Sequence, residues 1–319
     1  TTSGPGLCLK SEAINLAIFG ALRAGVHRGN HVVTIATEHA AALNVLKNVG
    51  ANTTIVPVNS RGHVAVNEII AAITPNTVLV SLMMVNNEIG LIQDIHEIGK
   101  AITMRRKNDG SVYPLLHSDA SQAPNYCEID VEKLHVDLLT LSSPKVYGPK
   151  GAGALYIRRN TPWQSVFCGG KQEGGRRPGT ENVAGAVGFA AALHETVGMR
   201  DREAARILAL REQLIDGVLA IDGVTLNGDR IRRGPNNVNI SCSGIDGEEL
   251  VLRLDANGIA ISTGSACKGG EEPSHALTGL GLSPEVVRSS VRFSLGRSTT
   301  KEEIDTAIQM TRELIATMR

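Results

Sequence analysis

The sequence predicts an α/β protein built on a mainly parallel sheet sandwiched by helices, with a smaller α+β unit at its C-terminal end. Two observations carry this expectation. Between residues 30 and 140 short apolar runs alternate regularly with stretches of helical periodicity, the pattern of successive βαβ units. Beyond residue 199 that alternation stops, and short strands and single helices follow in mixed order. A chain of 319 residues is long enough for two such domains. The expected division is 1–199 for the large domain and 200–319 for the small one.

Taken in order, residues 11–24 (SEAINLAIFGALRA) have helical periodicity, with Ser11 placed as the N-cap. Residues 31–36 form a strand, and Thr37-Glu38-His39 leads into a helix over 40–48. A strand at 53–58, a helix at 64–73 and a buried strand at 77–84 follow, the last running into Val85-Asn86-Asn87-Glu88. Next come a helix at 92–105 and a strand at 113–119. The apolar run 135–141 (HVDLLTL) reads as a buried strand. After it come Lys145, a loop with Gly148, Pro149, Gly151 and Gly153, and a short strand at 154–157. Beyond Trp163 the segment GGKQEGGRRPGTEN is a glycine-rich loop, and 182–219 is helical with a break expected near Gly198. The remainder supplies strands at 224–226, 237–241, 259–262 and 291–295 and helices at 248–257 and 301–318.

Composition excludes several classes of function. Thirty-two basic and 32 acidic side chains cancel, so nothing in the charge pattern argues for nucleic acid or a membrane surface. No apolar run is long enough to span a bilayer, and no secretory signal is read at the start. The five cysteines (Cys8, Cys127, Cys168, Cys242, Cys267) are scattered, odd in number and free of any C-x-x-C. That argues against a disulfide framework and a zinc site, and for a reducing, cytoplasmic location.

Ligands of parallel α/β sheets bind beyond the carboxyl ends of the strands. His39, Asn87, Asp119 and Lys145 all fall at or just past expected strand ends, and so on one rim. A lysine delivered off a buried strand among small residues is poorly solvated, which leaves its amine available as a nucleophile or base. Lys150, five residues on, reads as an ordinary surface lysine. Asp119 lies in HSDASQ, three residues before Gln122, and Arg292 lies on the expected strand SSVRFSLGR. An acid, a lysine and an arginine so placed are the parts a pyridoxal phosphate enzyme uses: a partner for the ring nitrogen, a Schiff-base amine and a bidentate grip on a carboxylate. Cys267, in STGSACKGGEE, adds a sulfur nucleophile.

The chain closely resembles the cysteine desulfurases of the NifS/IscS type, within the class V aminotransferases and fold-type I pyridoxal phosphate enzymes. The motifs that carry the resemblance are TEHAAALN, VNNEIGLIQDI, HSDASQA, KVYGPKGAGALYIRR, GGKQEGGRRPGTEN, STGSAC and RFSLGR, spread from Thr2 to the C-terminus. It implies a pyridoxal 5'-phosphate cofactor, with Lys145 as the Schiff-base lysine and Asp119 as partner of the ring nitrogen. Gln122 would bond the phenolic oxygen, and His39 would stack on the ring and move protons. Ser142 and Ser11 would bind the phosphate, with Thr180 reaching in from the neighbouring subunit of a homodimer. Asn87 and Arg292 would hold the carboxylate of the substrate, L-cysteine. Cys267 would take its sulfur as a persulfide, release alanine, and pass the sulfur to an iron–sulfur scaffold or tRNA-thiolation partner.

In three places the chain departs from the family. Pro144 stands where a phosphate-contacting His is usual. The phosphate turn reads TTSGPGLCLKSE, with about five extra residues and Ser11 in place of Thr. The family's N-terminal segment has no counterpart before Thr1, which suggests a fragment or an incomplete gene product. These departures leave open a non-catalytic binding subunit, and Cys267 is equally compatible with a selenocysteine lyase.

Overall fold

The computed structural model describes residues 9–264 and 273–319 and divides into two compact units. The first comprises the chain up to Pro57, Val64–Val85 and Gln93–Met199. It contains α1 (Leu9–Ala24), β1 (His31–Ile35), α2 (Ala40–Asn48), β2 (Asn52–Val56), α3 (Val66–Ala72), β3 (Thr77–Met83), α4 (Ile95–Asp109), β4 (Leu115–Asp119), β5 (Leu138–Ser142) and β6 (Gly153–Ile157). A one-turn α5 (Gln172–Gly175) follows, and then α6 (Val183–Leu219), within which the first unit gives way to the second.

The six strands form one sheet in the order β2-β1-β3-β4-β5-β6. Neighbours are parallel except for β5 and β6, which pair antiparallel. The central strands are hidden along their whole length, every residue of β3 being buried, as a parallel sheet covered on its faces requires. Helix α1 shows why this sequence packs there. Its fully buried Ile14, Ala17, Ile18 and Ala21 recur at helical spacing and share a core cluster with Val32, Val78, Leu79 and Leu138. Trp163 closes that cluster, and its indole Nε1 donates to the carbonyl of Leu16 at 2.8 Å. Gly20 is the position that admits it: a Cβ there would lie 2.0 Å from Trp163 Nε1.

The second unit gathers Val58–His63, Asn86–Ile92 and the described residues from Arg200 onward. It adds β7 (Val224–Leu226), β8 (Asn237–Cys242), α7 (Gly247–Ala256), α8 (His275–Gly279), α9 (Pro284–Arg288), β9 (Ser290–Ser294) and α10 (Lys301–Met318). Strands β7, β8 and β9 make an antiparallel sheet in that order, over a core of Ile215, Val218, Val238, Ile240, Leu250, Leu254 and Val291.

Several sequence expectations need correction. Helix α6 runs unbroken through Gly198, because the flanking residues keep helical conformation and a glycine there costs only about 1 kcal/mol. The strand expected at 259–262 shrinks to a single bridge between Ser262 and Arg292. Helix α1 begins at Leu9, so Ser11 is its third residue and not its cap; Leu and Lys extend a helix readily. Among the described residues no helix is long and apolar enough to cross a membrane.

Candidate active site

The carboxyl ends of β1, β3, β4 and β5 form one rim of the first sheet, with Met83 in register with Asp119 and Asp119 with Thr140. Asp119 is the last residue of β4 and 2% exposed. Its Oδ1 accepts from the Ser121 backbone N–H at 2.9 Å, and its Oδ2 lies 3.1 Å from the ammonium of Lys10 in the first turn of α1. Burial works against a charge on Asp119. The Lys10 ammonium and the Ser121 donors outweigh it and hold the pKa below the usual carboxylate range.

Two neighbours are kept neutral by the same burial. Glu38, 1% exposed, accepts from the backbone N–H groups of His39 (2.8 Å) and Met83 (2.7 Å). Loss of solvent and then the charge of Asp119 push its carboxyl up to about 8, against the pull of those donors and of Lys10. His117 lies between the hydroxyls of Ser81 (2.9 Å) and Thr140 (3.0 Å), and burial lowers its pKa to about 4. His39 is the N-cap of α2, its Nδ1 accepting from the Ala41 N–H at 3.0 Å. That bond leaves Nδ1 unprotonated, so a neutral His39 carries its proton on Nε2.

Lys145 departs from the sequence reading. It stands in a 3₁₀ turn, Ser143–Val146, and its side chain is exposed, not buried. The phase of the turn is the reason. With three residues per turn, Ser143 and Val146 share the inward face (0% and 1% exposed), which puts Pro144 and Lys145 outside. Pro144 suits the start of this turn, where no backbone donor is needed. The Lys145 carbonyl accepts from Asn125 Nδ2 at 2.6 Å. Ser142, at the end of β5, is 4% exposed; Gln122 and Ser11 are half-buried; Thr180 is exposed in the glycine-rich loop before α6. Lys10 and Glu38 are the residues that sequence reasoning passed over. Glu38 stood inside the TEHAAALN motif and Lys10 inside the phosphate turn TTSGPGLCLKSE, each without a role of its own.

In the second unit, Arg292 on β9 donates from Nη1 to the Asn87 carbonyl at 3.1 Å, while its buried Nε has no hydrogen-bond partner. Burial lowers the Arg292 pKa, and the nearby charge of Glu88 opposes that. Glu88 is itself 2% exposed and accepts from the Ser274 hydroxyl, and its carbonyl takes the side-chain amides of Asn237 (3.1 Å) and Asn239 (3.0 Å). Asn87 is half-buried. Cys267 lies outside the described residues.

The model of the family described as "Aminotransferase class-V" matches residues 10–306. The chain belongs to the aminotransferase class-V family. Among curated relatives it is similar to a protein of Clostridium botulinum named "Cysteine desulfurase IscS", at 44% identity over 97% of this chain and 78% of that one. Among solved structures it is similar to a "NifS-like protein", with a TM-score of 0.87 at 31% identity over 97% of this chain and 81% of the other. A structure titled "SspA in complex with cysteine" superposes with a TM-score of 0.74 at 31% identity, over 90% and 79%. Within the class-V family the chain groups with the cysteine desulfurases.

Enzymes of this family work with pyridoxal phosphate, and the first unit offers a donor set that fits it. Asp119 is a buried carboxylate held ionised, as a protonated ring nitrogen demands. Ser142, the last residue of β5 and 4% exposed, is a second buried polar side chain on the same rim.

Proposed function

We propose that this chain is a pyridoxal phosphate-dependent cysteine desulfurase that converts L-cysteine to L-alanine. In this reading the sulfur leaves on Cys267 and passes to a sulfur-acceptor protein of iron–sulfur cluster assembly or tRNA thiolation. The observation that carries the proposal is Asp119: an ionised carboxylate, 2% exposed, at the end of a parallel strand. Bound pyridoxal phosphate supplies an electron sink for the substrate's α-carbon, and only while its ring nitrogen is held protonated.

Each residue then has a task. Asp119 would hold the proton on the ring nitrogen, and Gln122 would donate to the phenolic oxygen. Ser142 and Ser11, with Thr180 of a second subunit, would bind the phosphate. Lys145, an exposed residue, would supply the amine that binds the aldehyde. His39 presents Nε2 to the reacting centre because Nδ1 is committed to capping α2. Arg292 grips the substrate carboxylate with the guanidinium edge that has no protein partner at Nε, and Asn87 assists it. Cys267 would attack the substrate sulfur as a thiolate, forming an S–S bond as the Cβ–S bond breaks. The electron pair stays with the carbon skeleton, which takes up a proton on Cβ to become alanine. A homodimer is supported by the exposed Thr180 and by Val183 (65% exposed) and Val187 (63%) one turn apart on α6, an apolar face that a second copy would cover. Among the described residues, the free thiols of Cys168 and Cys242 agree with a cytoplasmic setting.

Borohydride reduction of the cofactor-loaded protein, followed by peptide mapping, tests the reading. The pyridoxyl group should appear on Lys145 and be lost in Lys145→Ala, and the parent should form alanine from cysteine. A label on Lys10 or Lys150, or no alanine from fully loaded protein, would overturn it.

A further inference from the structure

We propose that Lys10 sets this chain's affinity for its cofactor by occupying the carboxylate oxygen that the ring nitrogen needs. This rests on the functional reading above and gives a role to a residue of the phosphate turn to which the resemblance assigns none.

The pair is a close one. Lys10 Nζ stands 3.1 Å from Asp119 Oδ2, and the two side chains are 11% and 2% exposed. The other oxygen of Asp119 is already taken by the Ser121 N–H. A lysine ammonium and a protonated pyridine nitrogen are both N–H cations of unit charge. Lys10 meets Oδ2 as an ion pair without a hydrogen bond, so the two compete for the charge of Asp119 at that oxygen. Helix polarity does not explain the lysine, because the first turn of a helix disfavours a cation. Asp119 is what holds it there. Glu38, the other carboxyl nearby, offers the displaced ammonium no equal alternative. Both its oxygens accept backbone N–H groups, and its raised pKa keeps it largely protonated at neutral pH.

Cofactor entry is therefore an exchange of one cation for another. The ring binds only to the fraction of molecules in which Lys10 has left Asp119, and the apparent dissociation constant rises by the inverse of that fraction. A pair closed nine times in ten weakens binding about tenfold. The exchange has a second consequence: cofactor-free protein keeps Asp119 neutralised and stays folded without its ligand.

The test uses the full chain stripped of cofactor and titrated with pyridoxal phosphate, followed by absorbance, at one pH and ionic strength. Lys10→Met keeps the length of the side chain and removes the charge; it should bind about tenfold more tightly than the parent, while its cofactor-free form melts at a lower temperature. Lys10→Arg keeps a cation and should bind like the parent. A folded Lys10→Met with unchanged or weaker affinity, beside a parent that binds normally, overturns the role of Lys10 and leaves the functional reading standing. Failure of the parent and both variants to bind overturns both. If Lys10→Met does not fold, the parent alone decides: acetylation of Lys10 should become faster as pyridoxal phosphate saturates the protein, and an unchanged rate would overturn the exchange.

Discussion

Replacing Glu38 by Gln should remove a pH dependence of stability that the parent shows above neutrality. Burial and the charge of Asp119 move the Glu38 carboxyl from the ordinary 4.5 to about 8. Between those values the folded chain keeps a proton that the unfolded chain has lost, so stability is greatest below pH 4.5 and falls as pH rises towards 8. The slope for one such group is about 1.4 kcal/mol per pH unit. His117, lowered to about 4, acts with the opposite sign, and its window ends at 6.5, where both folded and unfolded forms are neutral. Cys242, raised from 9.0 to about 11, costs stability only above pH 9. From pH 6.5 to 8 Glu38 therefore dominates, and the parent should lose about 2 kcal/mol. Glutamine keeps one acceptor for the His39 and Met83 donors but sets an amide N–H₂ against the other, a penalty of about 1–3 kcal/mol at every pH. Urea unfolding at half-unit pH steps should show the variant gaining about 2 kcal/mol on the parent between pH 6 and pH 8. Parallel profiles for parent and variant would refute the reasoning.

Two further outcomes follow from geometry. Gly20→Ala should expel the chain's single Trp from its seat, because the new Cβ falls 2.0 Å from Trp163 Nε1. A loss of about 1–3 kcal/mol with a red-shifted Trp emission is expected, and an unshifted spectrum would show that the helix adjusts instead. Arg292→Lys keeps a charge but lacks the planar fork, so KM for cysteine should rise by about tenfold or more while pyridoxal phosphate affinity stays near the parent's. Equal losses in both would mean that Arg292 supports the cofactor site.

What the sequence made legible was periodic or capped. The helices expected at 40–48 and 301–318 appear with those limits, α10 fixed by a Thr300–Glu303 capping box and α2 by His39. The β/α alternation gave the sheet, and strand-end position alone put Asp119 on its rim. What stayed hidden depended on phase or on tertiary neighbours. Lys145 follows a buried strand, so it read as buried; a 3₁₀ turn of three residues per rotation turns it outward. Ser11 had the chemistry of a cap but lies inside a helix that two good helix formers extend. Lys10 is an ordinary surface lysine by every local criterion, and only the packing of α1 brings it to Asp119.

The charges around Asp119 explain why a single cation is the ligand this rim selects. Two carboxyls and an imidazole lie buried there, yet burial leaves Glu38 protonated and His117 unprotonated at neutral pH. Neighbouring buried carboxylates cannot both ionise cheaply, and the proton stays on the one with less cationic support. Asp119 has Lys10 and the Ser121 donors; Glu38 has two backbone N–H groups and the repulsion of Asp119. One negative charge remains, and one positive charge balances it. A neutral ring nitrogen gains little from such a partner, and the departing ammonium would leave a buried carboxylate uncompensated, at a cost of several kcal/mol. A protonated ring replaces the ammonium charge for charge. The cluster thus favours the cofactor in the protonation state that makes it an electron sink, and Lys10 and the ring nitrogen are alternative occupants of one site.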